Sequence, residues 1–200
     1  GAAQRSGGTV LLNGEEYLAH NPKEAKQKGI STLFQELNVV DQLTVEENLA
    51  LGMEDTTFGF LRKTDKINTM VSVMNSIEPS IHPRQQVSTL SVAKKQIVEI
   101  AKAVAHESDL IIMDEPTAAL SESEIQRLFT IIQRLREQNV TVIYISHRLD
   151  EIFEIGDYVT VLRDGRSIGT RAMSSVSREA LIELMVGREL SAVYPKKEVA

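Results

Sequence analysis

Apolar residues fall into two patterns along the chain, short compact runs and stripes at helical spacing, and the two alternate. Ile30 to Phe34, Leu110 to Met113 and Val140 to Ile145 are compact runs of strand length, the last rich in β-branched residues. Ile97, Val98, Ile100, Ala101 and Val104 form an apolar helix face ahead of the second run, and Ile125, Leu128, Phe129, Ile132 and Leu135 form another after it. Strand, helix and strand in that order predict a βαβ unit, the building block of parallel α/β sheets.

Local signals fix the ends of these elements. Ser91 is an N-cap for the first helix, and Ser121 with Glu124 has the spacing of a capping box for the second, which Asn139 closes. Thr44 with Glu47 predicts a further capped helix through Leu51, followed by a helical, loop-broken region to about Ser88. Asn21-Pro22 starts a short helix that Gly29 ends. Asn13-Gly14, which accepts the positive φ of a type I′ turn, lies between Thr9–Leu12 and Glu15–Tyr17, and Asp164-Gly165 lies between Tyr158–Leu162 and Arg166–Thr170; both read as hairpins. A last helix runs from Ser177 to about Met185, with Gly187 beyond it. No element is predicted between His147 and Tyr158, and there is no internal repeat.

The chemistry gathers where compact runs stop. Leu110 to Met113 ends abruptly in Asp114 and Glu115, and Pro116 prevents helix or ladder from continuing. Two carboxylates are thus delivered to a strand's C-terminal edge, where open parallel sheets bind ligands, and they read as a Mg²⁺ partner and a water-activating base. Acids at a strand end are also commonly just solvated. Ser146-His147 closes the next strand at the same edge, and the free amides opening the helix at Ser91 make an anion site.

Composition narrows the classes. The chain has 200 residues, 42% of them hydrophobic, enough for one core with or without a small satellite. A net charge of −6 argues against a general nucleic-acid binder, which needs clustered Lys and Arg. With no Cys there is neither a disulfide framework nor a thiolate zinc site. No apolar run approaches the ~20 residues that span a bilayer, so any membrane role is expected to be peripheral.

Gln35 after a strand, Leu90-Ser91 opening a helix, Asp114-Glu115-Pro116-Thr117 after a strand and Ser146-His147 after the next, in that order, resemble the ATP-binding-cassette ATPases. In that family's terms Gln35 matches the Q loop, Leu90 to Lys94 the signature, Leu110 to Glu115 Walker B, Ala118 to Ser121 the D loop and His147 the switch histidine. The phrases Gln35-Glu-Leu-Asn, Val98-Glu-Ile-Ala-Lys, Tyr144-Ile-Ser-His-Arg, Val161-Leu-Arg-Asp-Gly and Met185-Val-Gly-Arg resemble, more closely, the first cassette of the ribose, galactose, xylose and arabinose importers. The resemblance implies an α/β, P-loop NTPase-like cassette core with an antiparallel β element. Residues 1–200 would be one partial nucleotide-binding domain, with a helical subdomain at 41–89.

It also implies roles. Glu115 is the general base, Asp114 holds Mg²⁺ through water, Gln35 contacts Mg²⁺ or the attacking water, and His147 meets the γ-phosphate. Ser91, Val92 and Ala93 hold ATP bound to a second cassette, fused or dimeric. Transmembrane permease subunits and, indirectly, a sugar-binding protein are the implied partners, at the cytoplasmic face of the membrane, with no nucleic acid. Two departures stand out: the usual Leu-Ser-Gly-Gly-Gln is Leu90-Ser91-Val92-Ala93-Lys94, and the last D-loop residue is Ser121 instead of Asp. No Gly-x-x-x-x-Gly-Lys-Ser/Thr loop occurs; Gly59 to Thr64 follows the Q loop and lacks the second glycine. The chain is therefore expected to be a fragment cut downstream of that loop and inactive alone. The alternatives are a non-enzymatic module that docks on a permease and a DNA-repair or chromosome-type ATPase. The latter predicts a heptad insertion or a basic face, and the sequence carries neither.

Overall fold

The computed structural model describes residues 7–34, 37–51, 60–105 and 108–187. They divide into two compact units, Gly1–Ile145 and Ser146–Ala200.

The first unit is built on a three-stranded parallel sheet of β3 (Ile30–Leu33), β4 (Leu110–Asp114) and β5 (Thr141–Ile145), with β4 in the centre. The register aligns Leu33 with Met113 and Met113 with Tyr144. One sheet face is closed: Leu33, Ile111 and Met113 are buried on it, and Tyr144 meets Phe129 of α5 (Glu122–Glu137) edge to face, ring centroids 6.3 Å apart. α4 (Val92–Val104) packs beside β3. The opposite face keeps Ile143 46% and Ile145 45% exposed, so the alternation along β5 has an apolar residue at both kinds of position, as strands meant for burial on two sides do.

Ahead of the sheet, β1 (Leu11–Leu12) and β2 (Glu15–Glu16) form the hairpin that Asn13-Gly14 predicts, with φ of 53° and 84° at the two turn residues. α1 (Pro22–Gln27) starts at Asn21, whose side chain accepts from the Glu24 N–H at 2.9 Å. Between β3 and β4, α2 (Val45–Ala50) begins in the predicted capping box: the Glu47 N–H donates to Thr44 Oγ1 at 3.3 Å and the Thr44 N–H to Glu47 Oε2 at 2.8 Å. α3 (Phe60–Ile77) follows and buries Met70, Met74 and Ile77. The chain then returns alongside the start of α2, with the Val45 N–H on the Gln85 carbonyl and the Val87 N–H on the Leu43 carbonyl, before a 3₁₀ turn at Val87–Thr89 delivers Leu90 to α4.

The second unit holds α6 (Leu149–Ile155), which the sequence pattern does not announce, and the predicted hairpin of β6 (Tyr158–Arg163) and β7 (Arg166–Ala172). Asp164 and Gly165 turn it at φ of 51° and 71°. α7 (Arg178–Val186) ends on Gly187 at φ 77°, where a Cβ would collide with the Arg163 guanidinium; that guanidinium donates to the Leu184 carbonyl at 2.9 Å and so caps the helix.

Candidate functional site

Asp114 is the last residue of the central strand and pairs in register with Ile145 on the half-exposed sheet face. Glu115 then leaves the ladder sharply. Its N–H still donates to the Ile145 carbonyl at 3.0 Å, but its φ is +46°, the left-handed region that a side-chain-bearing residue seldom adopts, and a following proline makes it less favourable still. Its carbonyl accepts from the Ala118 N–H at 3.3 Å and from Gln96 Nε2 of α4, also at 3.3 Å. Thr117 is buried at the centre of this turn, and its carbonyl takes the Leu120 N–H at 3.1 Å. The turn feeds into α5 through the second capping box, where Ser121 donates from both its N–H (2.7 Å) and its Oγ (2.6 Å) to Glu124 Oε2. The two acids are therefore held at the C-terminal edge of β4 by a hydrogen-bonded turn at every step.

The N-terminus of α4 lies at Ser91, whose Oγ accepts from the Lys94 N–H at 3.3 Å. The capping role is thus present; it takes the Lys94 amide of the 13-residue helix, and the Val92 and Ala93 amides are the other first-turn donors. Val92 is 61% exposed, so the side chain that departs from glycine in the signature stands at the surface of the helix start. Lys94, the other departure, donates from Nζ to Ser80 Oγ at 2.7 Å, and Lys95 pairs with Asp41 at 2.6 Å. These contacts tie the helix start to the turn after α3 and to the loop ahead of α2.

His147 opens the second unit, two residues beyond the end of β5 in the chain, and is exposed. Its neighbours are fixed through one buried acid: Ser146 Oγ donates to Glu151 Oε2 at 3.0 Å and accepts the Arg148 N–H at 3.0 Å, while Arg148 Nη1 pairs with Glu151 Oε1 at 2.6 Å. Gln35, matched to the Q loop, lies outside the described residues.

Polar side chains that no motif singles out sit around the predicted ones. Gln96, Glu99 and Glu151 are buried polar residues on helices; Gln96 and Glu99 interrupt the apolar stretch of α4, whereas Glu151 lies on α6, which the sequence pattern does not announce. Burial pushes the Glu99 carboxyl up; the Lys102 ammonium and the Asn38 backbone N–H act in the other direction. Among the described residues no group of three or more His, Asp or Glu converges to hold a metal by itself. A single strand-end carboxylate such as Asp114 fits Mg²⁺, which usually keeps waters and takes one or two carboxylates together with substrate phosphates.

A family model described as ABC transporter matches residues 1–118. The chain is 43% identical over 201 residues to the ribose import ATP-binding protein of Geobacillus kaustophilus, covering 100% of this chain and 41% of the relative. It is 41% identical over 198 residues to the galactose/methyl galactoside import ATP-binding protein of Escherichia coli (strain K12), covering 99% of this chain and 39% of that one. It thus spans about two fifths of the length of the curated relatives it matches. Among solved structures, a dimeric ATP-binding cassette in a post-hydrolysis state bound to ADP and Pi superposes with a TM-score of 0.73 at 21% identity, over 86% of this chain and 76% of that one. A nucleotide-free cassette from an ABC transporter gives a TM-score of 0.73 at 21% identity over 93% of this chain and 76% of that one, which speaks to the fold.

Proposed function

The chain belongs to the ABC transporter family, and from that premise we propose that it is part of the ATP-hydrolysing subunit of a sugar importer, coupling hydrolysis to monosaccharide uptake through a membrane permease. What carries the reading is the delivery of Asp114 and Glu115 to the C-terminal edge of the central parallel strand. Similarity to sugar import ATP-binding proteins over nearly the whole chain supports the transport role.

In this reading Glu115 takes the proton from the attacking water, in line with the γ-phosphate. Asp114 and Gln35 would hold Mg²⁺, which would supply charge neutralisation on the phosphates. His147 contacts the γ-phosphate. Ser91 and the backbone amides at Val92 and Ala93 receive the phosphate of ATP held by a second cassette. Residues 41–89, which include α2 and α3, are the helical subdomain of this reading and lie in the chain between the Q loop and the signature.

Among the described residues no helix is long and apolar enough to cross a membrane. The proposed place is the cytoplasmic face of the membrane, against transmembrane permease subunits fed by a sugar-binding protein. A glycine-rich phosphate loop is not among the 200 residues, and the loop's amides and Lys are what grip the β- and γ-phosphates. The complete import ATPase, reconstituted with its permease, is therefore expected to drive ATP-dependent monosaccharide uptake, while the 200-residue chain alone turns over no ATP. ATP turnover by this chain alone, or a complete subunit whose hydrolysis no sugar permease stimulates, would overturn the reading.

A further inference from the structure

Glu115 occupies a backbone conformation that it does not favour. A left-handed φ costs a side-chain-bearing residue on the order of 1–2 kcal/mol, and residues before proline are restricted further. Such a conformation persists only when its surroundings over-determine it. Three hydrogen bonds do so here: the Glu115 N–H on Ile145, and the Glu115 carbonyl under both the Ala118 N–H and Gln96 Nε2. Two of these come from the strand and the turn itself. The third comes from α4, nineteen residues away in sequence, through an amide side chain only 8% exposed. Gln96 lies five residues past Ser91, on the helix whose N-terminus is the proposed phosphate contact for the opposite cassette.

We propose that Gln96 is a positioning residue: by holding the Glu115 carbonyl it sets the direction in which the general base leaves the strand edge, and it joins the signature helix to the base of the same cassette. One helix then serves two sites. Its N-terminus answers to ATP on the partner, and one and a half turns later its side chain fixes the base that acts on its own ATP. Glu99, one turn beyond Gln96, accepts the Asn38 N–H, so the buried polar side of α4 also reaches the loop that follows the Q-loop position. A displacement of the signature helix along its axis would therefore strain both the Glu115 turn and the Asn38 segment.

The inference rests on Glu115 being the base, and the test separates the two. In the complete import ATPase, Gln96→Leu removes the amide at similar volume, and Gln96→Glu keeps the shape but lacks a donor until its carboxyl is protonated. Both are expected to lower kcat about tenfold, the worth of one well-placed hydrogen bond, with KM for ATP within about twofold and the unfolding midpoint little changed. Amide hydrogen exchange at Glu115 and Ala118, measured without nucleotide, is expected to quicken in both. The kcat of Gln96→Glu relative to wild type should rise as pH falls, while that of Gln96→Leu stays level. Unchanged exchange at Glu115 and Ala118, or a loss of kcat that only tracks a lowered unfolding midpoint, would overturn the positioning role. If wild-type hydrolysis proves indifferent to Glu115→Gln, the functional reading fails instead, and the exchange experiment still decides whether Gln96 holds the turn.

Discussion

At the scale of single residues, the chain places its chemistry by spending backbone comfort and buried polarity where two elements meet. Asp114 keeps strand geometry, whereas Glu115 turns left-handed at φ +46°, so adjacent acids depart from the same strand end in different ways. Identity and position were legible: a compact apolar run ending in Asp-Glu-Pro says where the carboxylates go. The left-handed turn was not legible, because nothing local asks a glutamate before proline to adopt it; the hydrogen bonds that hold it come from Ile145 and Gln96, distant in sequence. Glu99 carries its own expectation. Its folded-state carboxyl is raised, chiefly by burial, so the folded chain holds that proton more tightly than the unfolded chain. The stability this contributes is full below the unfolded carboxyl's pKa and is lost as pH rises through the folded one. Glu99→Gln, which retains an acceptor for the Asn38 N–H, is therefore expected to stabilise the protein at pH 7 more than at pH 4. Denaturant unfolding at the two pH values checks this, and an equal or reversed difference would contradict it.

At the scale of elements, caps and turns were the most readable features because their chemistry is local. Both capping boxes, the Asn21 cap and the two Asx-Gly hairpins form as their spacing predicts. Thr44→Ala removes the hydroxyl that takes the Glu47 N–H, at the point where α2 and the segment before α4 run together. A loss of about 1 kcal/mol in unfolding free energy is expected, read as a lower denaturant midpoint at constant m; a midpoint equal to wild type would show that the cap adds nothing. α6 was missed for the converse reason. It is seven residues long, and Arg148 at its N-cap makes no side-chain capping bond, so it lacks the start signal that α1, α2, α4, α5 and α7 carry. Its start is held instead by local pairs of Arg148 and Ser146 on the buried Glu151, joined by one tertiary pair, Arg178 on Asp150 at 2.7 Å.

At the scale of the molecule, the parallel sheet brings Asp114 and Glu115 to the carboxyl edge of its middle strand, with α5 on its closed face and α4 beside β3. The other face, with Asp114 at its edge, keeps Ile143 and Ile145 nearly half exposed. Order and spacing along the chain revealed the family because each motif is tied to the end of a regular element. They left the contact of Gln96 with the Glu115 carbonyl unread because it spans two elements and no motif encodes it. The roles proposed for Asp114, Glu115 and His147 belong to the complete subunit, and that of Glu115 as base is the central one. Glu115→Gln in the complete import ATPase, measured for both ATP hydrolysis and ATP binding, tests it most directly. The expected result is a kcat lowered by roughly 100-fold or more with ATP affinity within about threefold of wild type, and hydrolysis retained near the wild-type rate would contradict the account.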